Sequence, residues 1–287
     1  MNATAVCERS TLVKDLPEAM AELGALKPTP TLPVLFVGHG NPMNAITENS
    51  FAQEWRRIGR NLPEPAVVVC ISAHWMTQGH FVTAMPNPRT IHDFYGFPDD
   101  LYRVEYPVKG SPETAEYISE LVREIQLDHE WGLDHGAWSV LMHLIPDCRT
   151  PILQLSIDMA TSPQEEYNLA RRLRALRDKG VLFIGSGNIV HNLRTLRFEG
   201  GDAYDWALEF DTASRSLIEA GDHDSLIHYE NLGQAAQLSI PTDDHYRPML
   251  SALALSYPDE RPVFFNETID LGSIGMRSFV MASDPVR

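Results

Sequence analysis

The sequence predicts a single α/β domain with a central mixed, mostly parallel sheet flanked by helices. Short apolar segments of strand length alternate with longer segments of helical periodicity, which is the pattern of an α/β fold. Several apolar segments, such as Val67–Ile71, contain no polar residue, and this is typical of strands that helices cover on both faces. No Gly-, Ser- or Pro-rich linker divides the 287 residues, so one domain is expected.

The predicted strands share a short length, apolar content and many β-branched residues. In chain order they are Pro33–Val37, Ala66–Ile71, His80–Ala84, Pro151–Ile157, Val181–Gly185, Pro262–Asn266 and Arg277–Met281. Residues 1–31 precede the first strand and are expected to form a loosely attached N-terminal arm. Residues 32–287 are expected to form the folded domain.

Helices are predicted between the strands, and the clearest is Pro163–Lys179. There Ser162 is the expected N-cap, Glu165 completes a capping box and Gly180 follows the last residue. Four arginines of this helix are expected to form a solvated face opposite its apolar stripe: Arg171, Arg172, Arg174 and Arg177. The other predicted helices are Phe51–Arg60, Pro112–Ile125, Gly136–Leu144, Asp202–Ala220 and Asp243–Ser256.

Composition and charge exclude several classes of function. A net charge of −16 would repel nucleic acids and anionic membrane surfaces, so neither is expected as a partner. No segment approaches the roughly 18 apolar residues that cross a bilayer, and the first 30 residues lack the apolar block of a secretory signal. The three cysteines form no CxxC pair, which fits a reducing compartment. We therefore expect a cytoplasmic protein with a small-molecule partner, in which histidines and carboxylates bind any metal.

The placement of the eleven histidines is the most informative feature. His39, His74 and His191 each follow a predicted strand, and each is expected just past the strand end. In open α/β sheets, ligands bind outside the carboxyl ends of the strands. If these strands are parallel neighbours, the three imidazoles converge there and form a metal site.

Three further histidines are candidates for the same site. His245 follows Thr242, a plausible N-cap, and would lie in the first turn of the last predicted helix. His135 lies in a Gly-bounded turn, where the neighbouring Asp134 could orient its imidazole or cap the helix that follows. His92 lies among aromatic residues, where it could line an aromatic substrate site or pack a loop.

Six short motifs carry a family resemblance. They are Gly38-His39-Gly40-Asn41-Pro42-Met43, Ser72-Ala73-His74-Trp75, Thr90-Ile91-His92-Asp93-Phe94, Leu133-Asp134-His135-Gly136-Ala137-Trp138, Gly187-Asn188-Ile189-Val190-His191-Asn192 and Pro241-Thr242-Asp243-Asp244-His245-Tyr246. In this order they closely resemble the DOPA-type extradiol aromatic ring-opening dioxygenases of the LigB-like, class III superfamily. The resemblance extends from about Leu32 to Met281. Two residues depart from the family pattern, since Asn41 stands where serine is usual and Tyr95 where glycine is frequent.

The resemblance implies a non-haem metal centre that opens a catechol ring next to its two hydroxyls, with O2 as the second substrate. It implies that the metal ligands are His39, His74 and His245. It makes His191 a fourth metal ligand or an acid/base group beside the metal, and His135 the catalytic acid/base group. Fe(II) is expected for activity because catecholate and dioxygen need open coordination positions, whereas Zn(II) also suits an all-histidine site.

Two other functions stay open at this point. A zinc-dependent hydrolase could use the same histidines to generate hydroxide near neutral pH, and a metal-carrying or regulatory protein could hold the ion without turnover. Residues that bind the substrate are unknown, although four arginines near the motifs could hold a substrate carboxylate: Arg89, Arg103, Arg194 and Arg247. The sequence does not fix which catechol is used, which bond is cleaved or whether the chain forms a homo-oligomer.

Overall fold

A computed structural model describes residue 26 and residues 28–283 of the chain. Most of the predicted N-terminal arm, residues 1–25 and 27, lies outside the described residues, so the boundary at residue 31 stays a prediction. Within the described part, the backbone N–H of Thr29 donates to Asp178 O and that of Leu32 donates to Arg177 O.

Eight strands form one mixed sheet in the order β4-β3-β5-β2-β6-β1-β10-β7, and β8 and β9 form a separate two-stranded ribbon. The four central strands, β5, β2, β6 and β1, are parallel, and β10 and β7 complete one edge in antiparallel pairing. The strands are β1 Val34–Gly38, β2 Val67–Thr77, β3 His80–Thr83, β4 Ile125–Asp128, β5 Ile152–Asp158, β6 Val181–Gly187, β7 Arg261–Phe265, β8 Ile269–Asp270, β9 Ile274–Gly275 and β10 Ser278–Ala282. The predicted fold class is therefore confirmed.

Helices cover both faces of the sheet. The α-helices are α1 Ser50–Asn61, α2 Asp99–Tyr102, α3 Pro112–Leu121, α4 His135–Leu144, α5 Pro163–Arg172, α6 Asp205–Ala220, α7 His223–Ile227, α8 Gln234–Ser239 and α9 Arg247–Leu255. Short 3-10 helices are Pro42–Ala45, Arg174–Lys179, Leu193–Thr195 and Tyr229–Leu232. No helix among the described residues is long and apolar enough to cross a membrane.

Alternate residues of the central strands pack into two separate cores. In β2, Val67 and Val69 lie in the core that contains α5, α6 and α9, whereas Val68 and Cys70 lie in the core that contains α1 and α4. A strand buried in this way on both sides has no position at which water would favour a polar residue. The uninterrupted apolar segments of the sequence have this cause.

Several predicted elements have different ends in the structure. The helix predicted to reach Ile125 ends at Leu121, because the chain turns there and Ile125 begins the unpredicted strand β4. The Pro163–Lys179 helix is α-helical only to Arg172 and continues as a 3-10 helix. The capping box of Ser162 and Glu165 is present as predicted.

The predicted solvated arginine face is wrong for two of its four members. Arg177 is fully buried, donates to the carbonyls of Leu32 and Leu255 at 2.7 Å each, and forms an ion pair with Glu260. Arg174 donates to Ala254 O at 2.7 Å. The last carbonyls of a helix have no partner within it, and these two arginines supply donors to the end of α9.

Candidate metal centre

Five histidines converge near the carboxyl ends of β1, β2 and β6. His39 directly follows β1, as predicted. The prediction is wrong for His74, which lies inside β2 where the pairing with β5 shifts register between Ile71 and Met76. Such an irregularity re-aims a side chain without ending the strand. His191 lies beyond the end of β6, where it forms an isolated bridge with Ile274.

His245 reaches the same site from a different position than predicted. Helix α9 begins at Arg247 with no side-chain cap, so Thr242 is not its N-cap and His245 precedes the first turn. The carbonyl of His245 accepts a hydrogen bond from the backbone N–H of Asn188 at 2.8 Å. A Cβ atom at Gly187 would lie 2.2 Å from that carbonyl, so only glycine lets the two segments approach.

His39, His74 and His245 form one of three groups of potential metal ligands among the described residues; the other two are His74 with Asp93 and His135, and His191 with Asp244 and His245. The candidate ligand atoms of the three side chains lie within 4.8 Å of one another. The Nε2 atoms of His39 and His74 are 3.2 Å apart. Two imidazole nitrogens at about 2.0–2.1 Å from one ion are separated by about this distance. The spacing therefore fits a shared cation.

In His39 and His245, a hydrogen bond to Nδ1 leaves Nε2 as the nitrogen that can bind a metal ion. Ser186 Oγ donates to the carbonyl of Gly136 at 2.5 Å, so it can only accept from Nδ1 of His39 at 3.0 Å. Nδ1 of His245 is bonded to the carboxylate of Asp244. In both rings Nδ1 carries the proton and Nε2 keeps its lone pair, as in metal-binding histidines that are oriented by a neighbouring acceptor.

Burial keeps these imidazoles neutral. It lowers the pKa of His39 and of His245 well below the ordinary range, and the neighbouring imidazoles lower both further. Burial also lowers the pKa of His74 to about 3, with the charge of His135 acting in the same direction. Since neutral imidazole is the form that binds metals, the donor set fits a resident metal ion.

His135 is the first residue of α4 and lies against the three-histidine group. Its ring centroid is 3.9 Å from that of His74 and 6.0 Å from that of His39. Asp93 Oδ1 accepts the backbone N–H of His135 at 2.9 Å and lies 2.9 Å from its Nδ1, although the angle at Nδ1 is not that of a hydrogen bond. The second oxygen of Asp93 is 3.7 Å from Nδ1 of His74.

Asp93, rather than Asp134, is therefore the carboxylate beside His135. Asp134 instead caps α4 by accepting from Ala137 N, and it also bonds to Ser72 and Gln154. Burial, together with the charge of Asp93, raises the pKa of Asp134 to about 6. Burial opposes ionisation of Asp93, but its contacts with His135 lower the pKa of this carboxyl. The sequence pairs Asp93 with its neighbour His92, to line an aromatic substrate site or pack a loop, whereas the structure places Asp93 beside His135.

His191 stacks on His245 with ring centroids 3.5 Å apart and an angle of 8° between the planes. Its candidate ligand atom groups with those of Asp244 and His245, and not with those of His39 and His74. Burial lowers the pKa of His191 to about 4. The structure thus brings all five predicted histidines together, and His135 and His191 flank the group of His39, His74 and His245, each within a further candidate group.

A cavity of about 410 Å³ opens above the histidines. Asn41 and Tyr95, the two departures from the family pattern, both line it. Its apolar walls consist of Phe94, Tyr95, Phe97, Leu193, Leu196, Phe198, Leu271 and Ile274. His92 is not a lining residue, because its ring packs a loop with Nε2 3.0 Å from Val104 O.

Among the described residues that line this cavity there is no lysine or arginine, so none of the four candidate arginines is placed to hold a substrate carboxylate. Arg89 donates to Trp131 O, Arg103 to Asp100 and Arg247 to Asp243. Arg194 is exposed on the short 3-10 helix Leu193–Thr195.

The fold and site define an α/β protein with a group of histidines that could hold a metal ion beneath an aromatic cavity. Residues 29–265 match the family model described as the catalytic LigB subunit of aromatic ring-opening dioxygenase. An Escherichia coli protein named 4,5-DOPA dioxygenase extradiol is 42% identical over 255 residues, covering 86% of this chain and 93% of that protein. A Beta vulgaris protein of the same name is 31% identical, covering 86% of this chain and 96% of that protein.

A crystal structure of an uncharacterized protein from Escherichia coli K12 has the same fold, with a TM-score of 0.77 and 36% identity over 88% of this chain and all of the other. The chain belongs to the LigB family of aromatic ring-opening dioxygenases. It is an enzyme of the extradiol ring-cleaving class, and enzymes of this class depend on a metal. The zinc hydrolase alternative is not favoured.

Proposed function

We propose that this dioxygenase opens the ring of a DOPA-like catechol next to its two hydroxyls, with Fe(II) held by His39, His74 and His245. The observation that carries this proposal is the facing of neutral imidazole nitrogens at the base of an aromatic cavity. Three imidazoles leave positions free for two catechol oxygens and dioxygen. The relatives named 4,5-DOPA dioxygenase extradiol support a DOPA-like substrate.

The chain's own residues would hold the catechol ring and exclude water. Phe94 lies edge-on to His135, with centroids 5.5 Å apart, and provides an apolar wall beside the acid/base candidate. Together with Phe97 and Ile274 it surrounds a planar substrate without competing hydrogen bonds. A ring in this cavity lies with its hydroxyls toward the histidines and its substituent toward the mouth.

His135 is proposed as the residue that moves the proton during ring opening. Asp93 lies beside its ring, so a proton gained by the imidazole is stabilised by a carboxylate at 2.9 Å. We propose that His191, whose ring stacks on His245, acts beside the metal, with the role of fourth ligand as the alternative that metal analysis decides. Bound Fe(II) would supply the redox chemistry with dioxygen.

Metal reconstitution tests this function. Metal-stripped protein is reloaded anaerobically with Fe(II) and scanned against L-DOPA, caffeate and protocatechuate; it is expected to consume one O2 per catechol and to form a yellow ring-opened product from L-DOPA. Protein loaded with Zn(II) is the matched control and is expected to hold the metal without oxygen uptake. Equal ring cleavage by the zinc form in the rigorous absence of iron would disprove the redox assignment.

A further inference from the structure

The two-stranded ribbon β8–β9 forms one wall of the cavity. Asp270, Leu271 and Ile274 of this ribbon all line the space above the histidines. Asp270 is half-buried there. The ribbon therefore brings a carboxylate to a wall that is otherwise apolar.

Backbone hydrogen bonds fix the ribbon to the segment that carries His191. Gly275 N donates to Val190 O at 2.8 Å, and Asn192 N donates to Ser273 O at 3.2 Å. Ser273 Oγ donates to Asn192 O at 2.9 Å. Asp270 consequently has a fixed position relative to His191 and does not belong to a free loop.

The turn that presents Asp270 has an uncommon backbone. Leu271, directly after it, has a φ of 48°, in the left-handed region that a leucine adopts only at a cost of about 1–2 kcal/mol. Its carbonyl accepts from Arg197 N at 2.9 Å, which holds the turn in place. Strained backbone conformations of this kind are frequent at functional sites, and here the strained residue lines a ligand cavity.

The Asp270 carboxylate has unused capacity to accept hydrogen bonds. Oδ1 accepts from Leu271 N at 2.9 Å, and the described residues place no donor on Oδ2. No described Lys, Arg or His forms an ion pair with it, and the nearby guanidinium of Arg197 lies over the ring of Tyr204 instead. The other lining carboxylate, Asp93, is already engaged by His135 and His74.

From this arrangement we infer that Asp270 selects catechols whose side chain ends in a cation, that is, arylalkylammonium diols. A ring held by the histidines directs its substituent away from them, where Asp270 is the lining carboxylate without an ion-pair partner and no described lining residue is a lysine or arginine. An ammonium group there forms a charge-assisted hydrogen bond, whereas a carboxylate meets a like charge. This inference rests on the proposed catechol-cleaving function and names its substrate class.

Three ligands of similar size test the inference: 3,4-dihydroxyphenylethylamine, 3,4-dihydroxyphenylethanol and 3,4-dihydroxyphenylacetate. Their Kd values for the Fe(II)-loaded protein are measured anaerobically, and their kcat/KM values with O2. The amine is expected to bind about tenfold more tightly than the neutral alcohol, and the acid more weakly than both. Because Kd requires no turnover, binding in this order without cleavage would contradict the proposed function and leave the charge selection intact.

Substitution of Asp270 tests whether its carboxylate causes the preference for the amine ligand. Asp270→Asn is expected to remove the roughly tenfold preference for the amine and to leave the Kd of the alcohol unchanged, while Asp270→Glu retains the preference. Glu209→Gln, an exposed position on α6, removes the same unit of charge and is the control. Equal wild-type Kd values for all three ligands, tighter binding of the acid, or an unchanged amine preference in Asp270→Asn would overturn the inference.

Discussion

Two buried polar clusters lie at opposite ends of the central strands, and they differ in how their hydrogen bonds are used. At the amino ends of β1 and β6, Arg177 is bonded to Leu32 O, Leu255 O and Glu260. At the carboxyl ends, His39 and His74 direct nitrogen atoms at each other across 3.2 Å. Every guanidinium nitrogen of Arg177 has a partner within the protein, whereas the imidazole nitrogens can still bind a metal ion.

This difference separates a structural cluster from a functional one. A buried group whose donors are all paired stabilises the fold and binds nothing further. Neutral imidazole nitrogens held 3.2 Å apart can bind one cation, and the free energy of that binding stabilises the folded protein. Changes at the histidines should therefore affect metal content and rate, and changes at Arg177 or Glu260 should affect stability.

Loss of a metal ligand should give the largest effect. His39→Ala removes one of three converging nitrogens, so bound metal and oxygen uptake are expected to fall to background. Metal analysis of the purified protein and an oxygen electrode measure both. His129→Ala, an exposed histidine, is the control and should retain full metal. A fully loaded His39→Ala protein would show that the ligand set is wrong.

Replacement of the flanking histidine should separate proton transfer from metal binding. His135→Gln is expected to keep its metal and bind catechol, while kcat falls by about 10²–10⁴ because the acid/base group is gone. His191→Gln, measured in parallel for metal content and kcat, decides the role of the second flanking ring. Metal loss in His135→Gln, with metal retained and turnover lost in His191→Gln, would show that His135 is a metal ligand and that His191 is the acid/base group.

Breaking the ion pair between Arg177 and Glu260, at the amino ends of the central strands, should lower stability without changing activity. Glu260→Gln leaves the fully buried Arg177 without its carboxylate, and the free energy of unfolding is expected to fall by about 3–5 kcal/mol. Activity per folded, metal-loaded molecule should not change. Glu124→Gln, which breaks the exposed pair with Arg172, should cost less than about 1 kcal/mol. Both values come from urea unfolding, and a reduced kcat in folded Glu260→Gln would contradict the division between the clusters.

Acidification should destabilise the metal-stripped protein through the histidine cluster. In the folded protein the pKa is about 4 for His191 and about 3 for His74, whereas histidines of the unfolded chain titrate near 6.5. At a pH between the folded and unfolded pKa values, the unfolded chain therefore binds more protons than the folded protein. Stability is therefore expected to fall as the pH decreases from about 6.5 toward 4, by about 1.4 kcal/mol per pH unit for each such histidine.

His191→Gln removes one of these groups and should make the pH dependence of unfolding shallower than in the wild type. Urea unfolding of the metal-stripped variants at pH 5, 6 and 7 measures the slopes. Identical slopes in wild type and His191→Gln would mean that His191 takes up its proton equally well in the folded state.

The sequence by itself determined the alternation of strands and helices, the two-sided burial of the central strands and the five histidines of the site. These features depend on local patterns, because an apolar run or a capping box shows its structure within a few residues. The order of His39, His74, His135, His191 and His245, each in one of five motifs, was likewise present in the chain itself.

Only the tertiary structure decided which groups surround those histidines. Asp134 is adjacent to His135 in sequence but caps a helix, and the carboxylate beside the ring is Asp93, from a separate loop. Arg177 faces inward because the carbonyls of α9, distant in sequence, need donors. Sequence position gives direct neighbours along the chain, whereas orientation, pKa and ligand contacts depend on residues that only folding brings together.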